Sequence, residues 1–336
     1  MTFTPDVSQL YADAFREFTR LRGLGPAPGS AMSASGFVQR VGGEEFCNLV
    51  ESAVLQSGDP DLGFRFGAAI GGRGFGLLGI ATAAAPTLAH SLNSLARWES
   101  LTCTLGAIDV VRERASVRVR WLPRVPVPPA LIEGVLAGWV AFGRFLVGES
   151  VPVSALELTR QRRSGISEVE SLLGCTVRYG APENAVVVPA AILDAQPRYA
   201  DAQLHASLAN WLDDCVRVVV GQRDATSVQA SEVILHGLAW GDADEDGVAR
   251  RLGLARRTLQ RRLAADGLSF RRLRDLLRAS IAVCRLSGGR DRLIDVAQHI
   301  GFAEQATFCR AVRQWTGRSP REVSRLFSTE YADLRG

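Results

Sequence analysis

The chain has 336 residues, of which 47% are apolar and 22% are charged. It is therefore long enough for two or three domains and apolar enough to bury a core, which excludes disordered, collagen-like and small disulfide-rich proteins. All 39 basic residues are Arg, so mechanisms that need a lysine, such as a P-loop or a Schiff base, are excluded as well.

The positive charge is concentrated near the carboxyl end of the chain. Residues 247–328 hold 18 Arg and 6 acidic residues, a net charge of +12, whereas the remainder carries −8. A basic segment attached to an acidic body predicts a polyanionic partner for that segment alone.

The cysteines do not form the pattern of a metal or redox site. The sequence has no CxxC pair and no His at ligand spacing from any of the six, which are Cys47, Cys103, Cys175, Cys215, Cys284 and Cys309. We interpret them as buried thiols of a reducing cytosol. The amino-terminal residues lack the basic and apolar regions of a signal peptide, and the most apolar stretch, residues 130–148, contains Glu133 and Arg144. The sequence therefore predicts a cytoplasmic protein with no membrane span, metal, cofactor or catalytic residue.

Hydrophobic periodicity predicts an α+β amino-terminal domain. Helices are expected at residues 7–22, 44–57, 86–105, 131–147, 167–173 and 202–220. Strands are expected at residues 108–121, where two strands turn near 113–116, and at residues 155–159, 176–179 and 185–188. A connector rich in Gly, Pro and Ser follows the first helix. Because the sequence shows no regular βαβ repeat, a doubly wound sheet is not expected.

Residues 222–229 are polar and lack periodicity, which predicts a linker between two domains. We divide the chain into an amino-terminal helix with a flexible connector (1–35), an α+β domain (36–221), the linker (222–230) and an all-α carboxyl-terminal domain (231–336). The last domain is expected to begin with a helix at residues 231–240.

The basic segment contains an internal repeat. VARRLGLARRTLQRRL at residues 248–263 matches VAQHIGFAEQATFCRAV at residues 296–312, with an offset of 48 residues that becomes 49 after one insertion. In each copy a short helix ends before a glycine, Gly253 or Gly301, which favours the left-handed turn that a Cβ would disfavour. Each copy therefore predicts a helix-turn-helix.

The second helix of each copy has an apolar inner face and a polar outer face. The inner positions recur at i and i+4, as Leu259 and Leu263 in the first copy and as Phe308 and Val312 in the second. The outer positions are Arg256, Arg257, Gln260 and Arg261 in the first copy, and Gln305, Ala306, Cys309, Arg310 and Arg313 in the second. Arg and Gln have forked donors that read guanine and adenine edges in the major groove of DNA. A solvated face on an ordinary helical bundle is the alternative, but two such copies in one basic segment favour DNA binding.

A helix between the two copies sets their spacing. Residues 270–286 keep their apolar side chains on one stripe and predict a rod of about 24 Å. With its flanking turns, this linker helix could hold two recognition helices roughly 34 Å apart, which is one turn of DNA. One chain would then read two consecutive segments of the major groove. Arg271, Arg272 and Arg274 on this helix either contact phosphates or form a solvated face.

Residues 246–327 resemble the DNA-binding domain of the AraC/XylS family of bacterial transcription regulators. LGLARRTLQRRL (252–263) followed by GLSF (267–270) is similar to the family's first motif, and DVAQHIGFAEQATFCRAVRQWTGRSPREVSR (295–325) is similar to its second. The resemblance implies a sequence-specific transcription regulator that binds double-stranded promoter DNA, contacts RNA polymerase and catalyses no reaction. The base-reading positions that it implies are Arg257, Gln260 and Arg261 in the first copy, and Gln305, Ala306 and Arg310 in the second.

Two residues depart from the family's pattern. Ala255 stands where the family usually has Ser or a similar residue, which predicts a recognition helix that lacks a side-chain cap worth about 1 kcal/mol. Glu304 places an acidic group near the start of the second recognition helix. The second copy is therefore expected to read fewer bases than the first, or mainly to position the DNA backbone.

Residues 36–220 resemble the effector-binding domain of one AraC branch, which is named for arabinose binding. The motifs that carry this resemblance are DPDLGFRFG (59–67), GFGLLGIA (74–81), APTLAHSLNSLARW (85–98) and VRYGAPENAVVV (177–188). They imply a domain that senses a small-molecule effector and forms a homodimer. The alternative is a domain that only dimerises or binds another protein.

An enzyme that carries the same DNA-binding module is a further alternative. DNA alkyl-repair methyltransferases need an activated cysteine, typically in a Pro-Cys-His-Arg sequence. None of the six cysteines is followed by His, so the sequence favours a regulator.

Overall fold

The computed structural model describes residues 4–24, 37–70, 75–148, 152–161, 168–220, 225–238, 243–287 and 291–327. The chain forms two compact units, one built mainly from the first 200 residues and the other mainly from Asp201 onward. The first part combines helices with sheets, and every element described beyond Asp201 is a helix. The fold class expected from the sequence is confirmed.

The first 200 residues contain helices of very different lengths. They are α1 (Gln9–Leu21), α2 (Gly43–Ser57), α3 (Leu62–Ile70), α4 (Gly76–Ala83), α5 (Leu88–Trp98), α6 (Pro129–Val147) and α7 (Val169–Leu173). Aromatic rings from α1, α2 and α3 share one cluster, in which the Phe15 ring lies 4.9 Å from that of Phe66 and 5.8 Å from that of Phe46. Their edge-on geometry is the arrangement that aromatic quadrupoles favour in a packed core.

The strands of the first 200 residues form two sheets. They are β1 (Asp6–Ser8), β2 (Arg40–Gly42), β3 (Gly106–Arg112), β4 (Ser116–Pro123), β5 (Ala155–Leu158), β6 (Val177–Tyr179) and β7 (Ala185–Pro189). β1 pairs with β2, and the larger sheet has the strand order β3-β4-β7-β5-β6. All its neighbours are antiparallel except β5 and β6, so the sheet is not doubly wound.

Strand β4 of the larger sheet has one buried face and one partly exposed face. Its apolar residues Val117, Val119 and Trp121 are buried, as the two-residue period predicts. Between them, Arg118 forms an ion pair with Glu157 of β5, and Arg120 forms one with Asp109, its register partner on β3. The Arg120–Asp109 pair joins opposite charges on neighbouring strands, whereas the Arg118–Glu157 pair reaches across β7.

Helices α3 and α6 cross at glycines on both sides. Gly63 and Gly67 of α3 lie against Gly134 and Gly138 of α6, and a Cβ on Gly67 would lie only 2.7 Å from the Ala137 Cβ. The two backbones approach closely because the glycines on both helices lack the side chains that would hold them apart. By length and composition alone α6 could cross a membrane, but 56% of its most apolar window is buried, as in a core helix.

The helices beyond Asp201 follow one another along the chain. They are α8 (Ala202–Val220), α9 (Thr226–Leu238), α10 (Glu245–Arg251), α11 (Arg256–Ala265), α12 (Phe270–Ser287), α13 (Leu293–His299), α14 (Gln305–Thr316) and α15 (Pro320–Phe327). Buried Leu273, Leu277 and Ile281 of α12 form the apolar stripe that the sequence predicts for the linker helix.

Two predicted helices in the first 200 residues are shorter in the structure. The helix expected at 7–22 loses its first residues to β1, because Ser8 Oγ accepts a hydrogen bond from the Tyr11 N–H at 3.2 Å and starts α1. The helix expected at 86–105 begins after Thr87, which caps α5, and ends at Trp98 before a 3-10 turn, Glu99–Leu101. The predicted β3–β4 hairpin is confirmed.

The structure also differs from the sequence-based prediction at α3, α4 and α9. Hydrophobic periodicity did not predict α3 and α4. Both segments are rich in apolar residues and glycines and lack a polar face, so they show no amphipathic pattern. The helix expected at 231–240 starts earlier, at Thr226, inside the predicted linker. Helix α8 is confirmed, but it packs in the second unit, although the sequence-based division placed it with residues 36–221. Most of the predicted connector, residues 25–36, lies outside the described ranges.

Candidate nucleic-acid interface

The first helix-turn-helix consists of α10 and α11. Asp244 caps α10 by accepting a hydrogen bond from the Gly247 N–H at 2.6 Å. Gly253 then adopts a left-handed conformation with φ +66°, and the Leu254 N–H bonds to the Ala249 carbonyl at 2.9 Å to close the turn.

The second helix-turn-helix, α13 and α14, has the same turn. Gly301 has φ +76°, and the Phe302 N–H bonds to the Ala297 carbonyl at 2.9 Å. These atoms are the repeat equivalents of those in the first turn. The two copies of the internal repeat therefore form two turns with the same hydrogen bond and the same left-handed glycine.

Neither recognition helix has a side-chain cap. Ala255 precedes α11 and Glu304 precedes α14, and among the described residues neither side chain accepts a hydrogen bond from a backbone N–H in the first turn of its helix. The start of α11 at Arg256 confirms the uncapped helix that Ala255 predicts. Its first turn instead depends on backbone bonds such as the one from the Thr258 N–H to the Ala255 carbonyl, at 2.9 Å.

The inner and outer faces of α11 and α14 are arranged as the repeat predicts. Leu259, Leu263, Phe308 and Val312 have no exposed surface. The predicted contact residues are all exposed, namely Arg256, Arg257, Gln260, Arg261, Gln305, Ala306, Arg310 and Arg313. Each helix thus presents a row of donors to solvent over a fixed apolar core.

The exposed arginines of the first helix differ in their surroundings. Arg256 forms ion pairs with Glu245 at 2.8 Å and with Asp246 at 3.3 Å, so its guanidinium is held beside α10. Within the part of the chain that the structure describes, Arg257 and Arg261 form no such ion pair. Their guanidinium groups can therefore reach a ligand without first breaking an internal ion pair.

The second helix carries a short polar chain near its start. Arg310 Nη2 donates to Thr307 Oγ1 at 2.9 Å, and the Thr307 hydroxyl lies 3.5 Å from Glu304 Oε2. Glu304 therefore adds negative charge on the side of α14 that carries Arg310. The exposed methyl of Ala306 is suited to contact with a thymine methyl.

The linker helix α12 connects the two helix-turn-helix motifs over 18 residues, a length of about 27 Å. Arg278 on this helix donates to the Gly301 carbonyl at 3.3 Å and stacks over Phe302 at 4.7 Å, which holds the second turn. Burial lowers the pKa of Arg278 to about 10, and the charge of Arg274 adds to this effect. No local pattern in the sequence indicates this role of Arg278, because only the fold brings α12 to the second turn.

The three arginines that open α12 have different environments. Arg271 is 79% exposed and lies 3.9 Å from Asp275, so it is available to solvent. Arg272 is bound to Asp214 of α8 at 2.7 Å, and Arg274 lies over the Phe270 ring at 5.8 Å. The three arginines for which the sequence left phosphate contact and a solvated face open therefore differ in their neighbours within the chain.

No group of three or more His, Cys, Asp and Glu residues in the described ranges could hold a metal ion. Burial raises the pKa of the Cys284 thiol to about 12 and raises that of Cys215 as well. Neither thiol is therefore activated as a nucleophile.

The amino-terminal and carboxyl-terminal parts of the chain match two different family models. Residues 31–197 match the arabinose-binding domain of AraC transcription regulators, and residues 248–325 match a helix-turn-helix domain. The chain belongs to the AraC family. It is a DNA-binding transcription regulator with an arabinose-binding-type amino-terminal domain.

Individual relatives of this AraC-family chain are bacterial regulators. The transcriptional regulator VirS of Mycobacterium tuberculosis is 26% identical over 329 residues, which cover 93% of both chains. The ornithine utilization regulator of Pseudomonas aeruginosa is 21% identical over 280 residues, 82% of both chains. Among solved structures, the regulator CdpR of Pseudomonas aeruginosa covers 93% of this chain and 97% of its own at 20% identity, with a TM-score of 0.46.

Proposed function

We propose that the chain reads promoter DNA by placing α11 and α14 in two consecutive segments of the major groove. The observation that supports this proposal is that two turns of equal geometry each expose the polar face of their second helix. The net charge of +12 over residues 247–328 supplies attraction to the phosphates.

The proposal divides the exposed residues between base reading and positioning. Base contacts are assigned to Arg257, Gln260 and Arg261 of α11, and to Gln305, Ala306 and Arg310 of α14. Arg256, which is already paired with α10, and Arg313 are assigned to the phosphate backbone. Backbone contacts fix the register of a protein on the duplex, whereas contacts to base edges determine sequence preference.

Selection from a random duplex library by the full-length chain tests this function. We expect enriched duplexes with two sequence segments whose centres are about 10–11 base pairs apart. Affinity for the enriched duplex should fall steeply with salt, and Arg313→Ala should reduce the log–log salt slope by about 1. Failure to enrich any sequence above the starting library would contradict the proposal.

The amino-terminal domain is proposed to sense a small-molecule effector, to form a homodimer and to control promoter binding and contact with RNA polymerase in the cytoplasm. Its match to an arabinose-binding domain supports effector sensing. A thermal-shift screen of the full chain tests it, since a ligand at 100 times its Kd adds about 2.7 kcal/mol to the free energy of unfolding. A screen without hits, together with a dimer in sedimentation, would favour a domain that only dimerises or binds a protein.

We further propose that the chain has no enzymatic activity. The raised pKa values of Cys215 and Cys284 argue against methyl transfer to these two thiols, because a methyl-accepting cysteine must ionise readily. Incubation with alkylated DNA should transfer no methyl group to the protein, and a stoichiometric transfer detected by mass spectrometry would contradict the proposal.

A further inference from the structure

Helix α8 lies between the two segments that match known families, which end at residue 197 and begin at residue 248. We propose that α8 is a brace that sets the orientation of α14 relative to the linker helix α12, with Asp201 and Trp211 as positioning residues for the second recognition helix. The inference rests on the proposed function, because it concerns how α14 reads its own segment of the DNA. We call the segments read by α11 and by α14 the two half-sites.

The first contact of the brace lies at the start of α8. Arg318, just beyond the end of α14, donates from Nε and Nη2 to the two carboxylate oxygens of Asp201, at 2.6 and 3.0 Å. A two-pronged Arg–carboxylate pair fixes direction as well as distance. The Asp201 side chain is only 10% exposed, and the hydrogen bonds from Arg318 lower its pKa. Asp201 also accepts from the Leu204 N–H at 3.0 Å, so the residue that holds Arg318 is fixed to α8.

The second contact lies midway along α8. Trp211 Nε1 donates to the Trp315 carbonyl, in the last turn of α14, at 3.0 Å, and the two rings meet edge-on at 6.4 Å. The other neighbour of the Trp211 ring is Arg272 of α12, whose guanidinium lies 3.6 Å from the ring centroid. Arg272 is held in turn by Asp214 of α8 at 2.7 Å. One indole therefore contacts the linker helix and the recognition helix together.

Both contacts hold α14 at its carboxyl end, while its base-reading residues lie toward the other end. The 12 residues of α14 span about 18 Å, so a tilt of about 10° at the held end moves the first turn by about 3 Å. Base contacts tolerate much less than this, since specific sites need their groups placed within about 0.5 Å. Loss of the brace should therefore weaken base reading by α14 before it unfolds the unit.

The first recognition helix has a comparable tie to a different helix. Asp266, which ends α11, accepts from the Ser227 N–H in the first turn of α9 at 2.9 Å. In both copies a side chain just beyond the recognition helix thus bonds to the start of an earlier helix. The brace on α14 comes from α8 and that on α11 from α9, so disturbing α8 should affect one half-site only.

Binding of the full-length chain to a library-selected duplex tests the brace. Each half-site of the duplex is scrambled in turn. Discrimination at a half-site is the Kd for the scrambled duplex divided by the Kd for the intact duplex. The Arg310→Ala variant identifies the half-site that α14 reads. Asp201→Asn keeps the cap on α8 but removes the ion pair, and Trp211→Phe keeps a ring under Arg272 but removes the donor. Ala206→Ser on α8 is the control, because Ala206 is exposed and takes part in neither contact of the brace.

Discrimination at the α14 half-site should fall roughly three- to tenfold in Asp201→Asn and in Trp211→Phe. It should stay unchanged at the α11 half-site, and both ratios should stay unchanged in Ala206→Ser. Unchanged ratios in both test variants, or an equal fall at both half-sites, would overturn the brace.

Amide hydrogen exchange tests the brace without DNA, and so separates its failure from a failure of the proposed function. Residues 305–316 should exchange faster in Asp201→Asn and Trp211→Phe, while residues 256–265 exchange as in the unmodified chain. Equal exchange of residues 305–316 in all variants would overturn the brace even if no duplex were ever enriched. An enriched duplex with unchanged exchange would leave the proposed function intact and remove only the brace.

Discussion

Gly301 packs against the Leu238 carbonyl oxygen, which would lie 2.6 Å from a Cβ at this position. The repeat-equivalent Gly253 has no atom of the described residues within 4 Å of such a Cβ. Both glycines need their left-handed backbone, but only the second also needs the absence of a side chain. The two turns of the repeat are therefore alike in conformation and different in packing.

This difference predicts that replacing each glycine by alanine lowers the free energy of unfolding by different amounts. Gly253→Ala should lower the free energy of unfolding by about 1 kcal/mol, the cost of a left-handed conformation for a residue with a Cβ. Gly301→Ala should cost at least about 2 kcal/mol more, because the carbonyl of Leu238 must move as well. Urea unfolding of both variants measures the difference, and equal costs would contradict the packing of the second turn.

The crossing of α3 and α6 predicts a second matched pair of variants. Gly67→Ala should destabilise the chain by roughly 2–4 kcal/mol, because the added methyl would clash with the backbone of α6 and with Ala137. The matched control is Gly143→Ala on α6, because a Cβ at Gly143 would meet no atom of the described residues within 4 Å. It should be neutral or stabilise by up to about 1 kcal/mol through helix propensity. Thermal unfolding that ranks the two variants in the opposite order would contradict the crossing.

Glu99 predicts a loss of stability as the pH rises. Burial raises its pKa from 4.5 to about 8, although the Ile108 N–H, which donates to Glu99 Oε2 at 2.6 Å, and Arg124 act in the opposite direction. The folded chain thus holds this proton more tightly than the unfolded chain. Its contribution is fully present below about pH 4.5 and is lost as the pH rises to about 8.

Glu99→Gln removes this titration and keeps an acceptor for the Ile108 N–H. Relative to the unmodified chain, the variant should gain roughly 4 kcal/mol more stability at pH 8.5 than at pH 5. Chemical unfolding at the two pH values measures this gain. The same gain at both values would show that Glu99 ionises as it does in the unfolded chain.

The exposed arginines of the two recognition helices predict separable losses of DNA affinity. Arg261→Ala and Arg310→Ala should each weaken binding to a selected duplex by roughly 1–3 kcal/mol for each lost base-pair contact. Arg112→Ala on β3 removes the same charge from an exposed strand position and should leave affinity unchanged at constant salt. Equal losses in all three variants would indicate attraction by charge alone.

The sequence predicted the local features of the interface well because local rules produce them. Gly253 and Gly301 mark the turns by their conformation, and the apolar spacing of Leu259 and Leu263 fixes which face of α11 is exposed. The absence of a cap at Ala255 was readable for the same reason. These features depend on residues within one or two helical turns of each other.

The contacts that orient the helices could not be read in this way. Asp201 and Arg318 are 117 residues apart, and Trp211 and Trp315 are 104 apart. Each of these residues has an ordinary surface or core pattern around it, so nothing local indicates its partner. For the same reason α8 was correctly predicted as a helix but was placed with the residues before it.

Chemical protection of guanine N7 in a selected duplex tests two-helix reading most directly, because this atom faces the major groove. Bound protein should protect two clusters of guanines about 10–11 base pairs apart on one face of the duplex. Arg261→Ala should expose guanines in one cluster only, and Arg310→Ala guanines in the other. A single protected cluster, or loss of the same cluster in both variants, would contradict the reading of two consecutive groove segments by one chain.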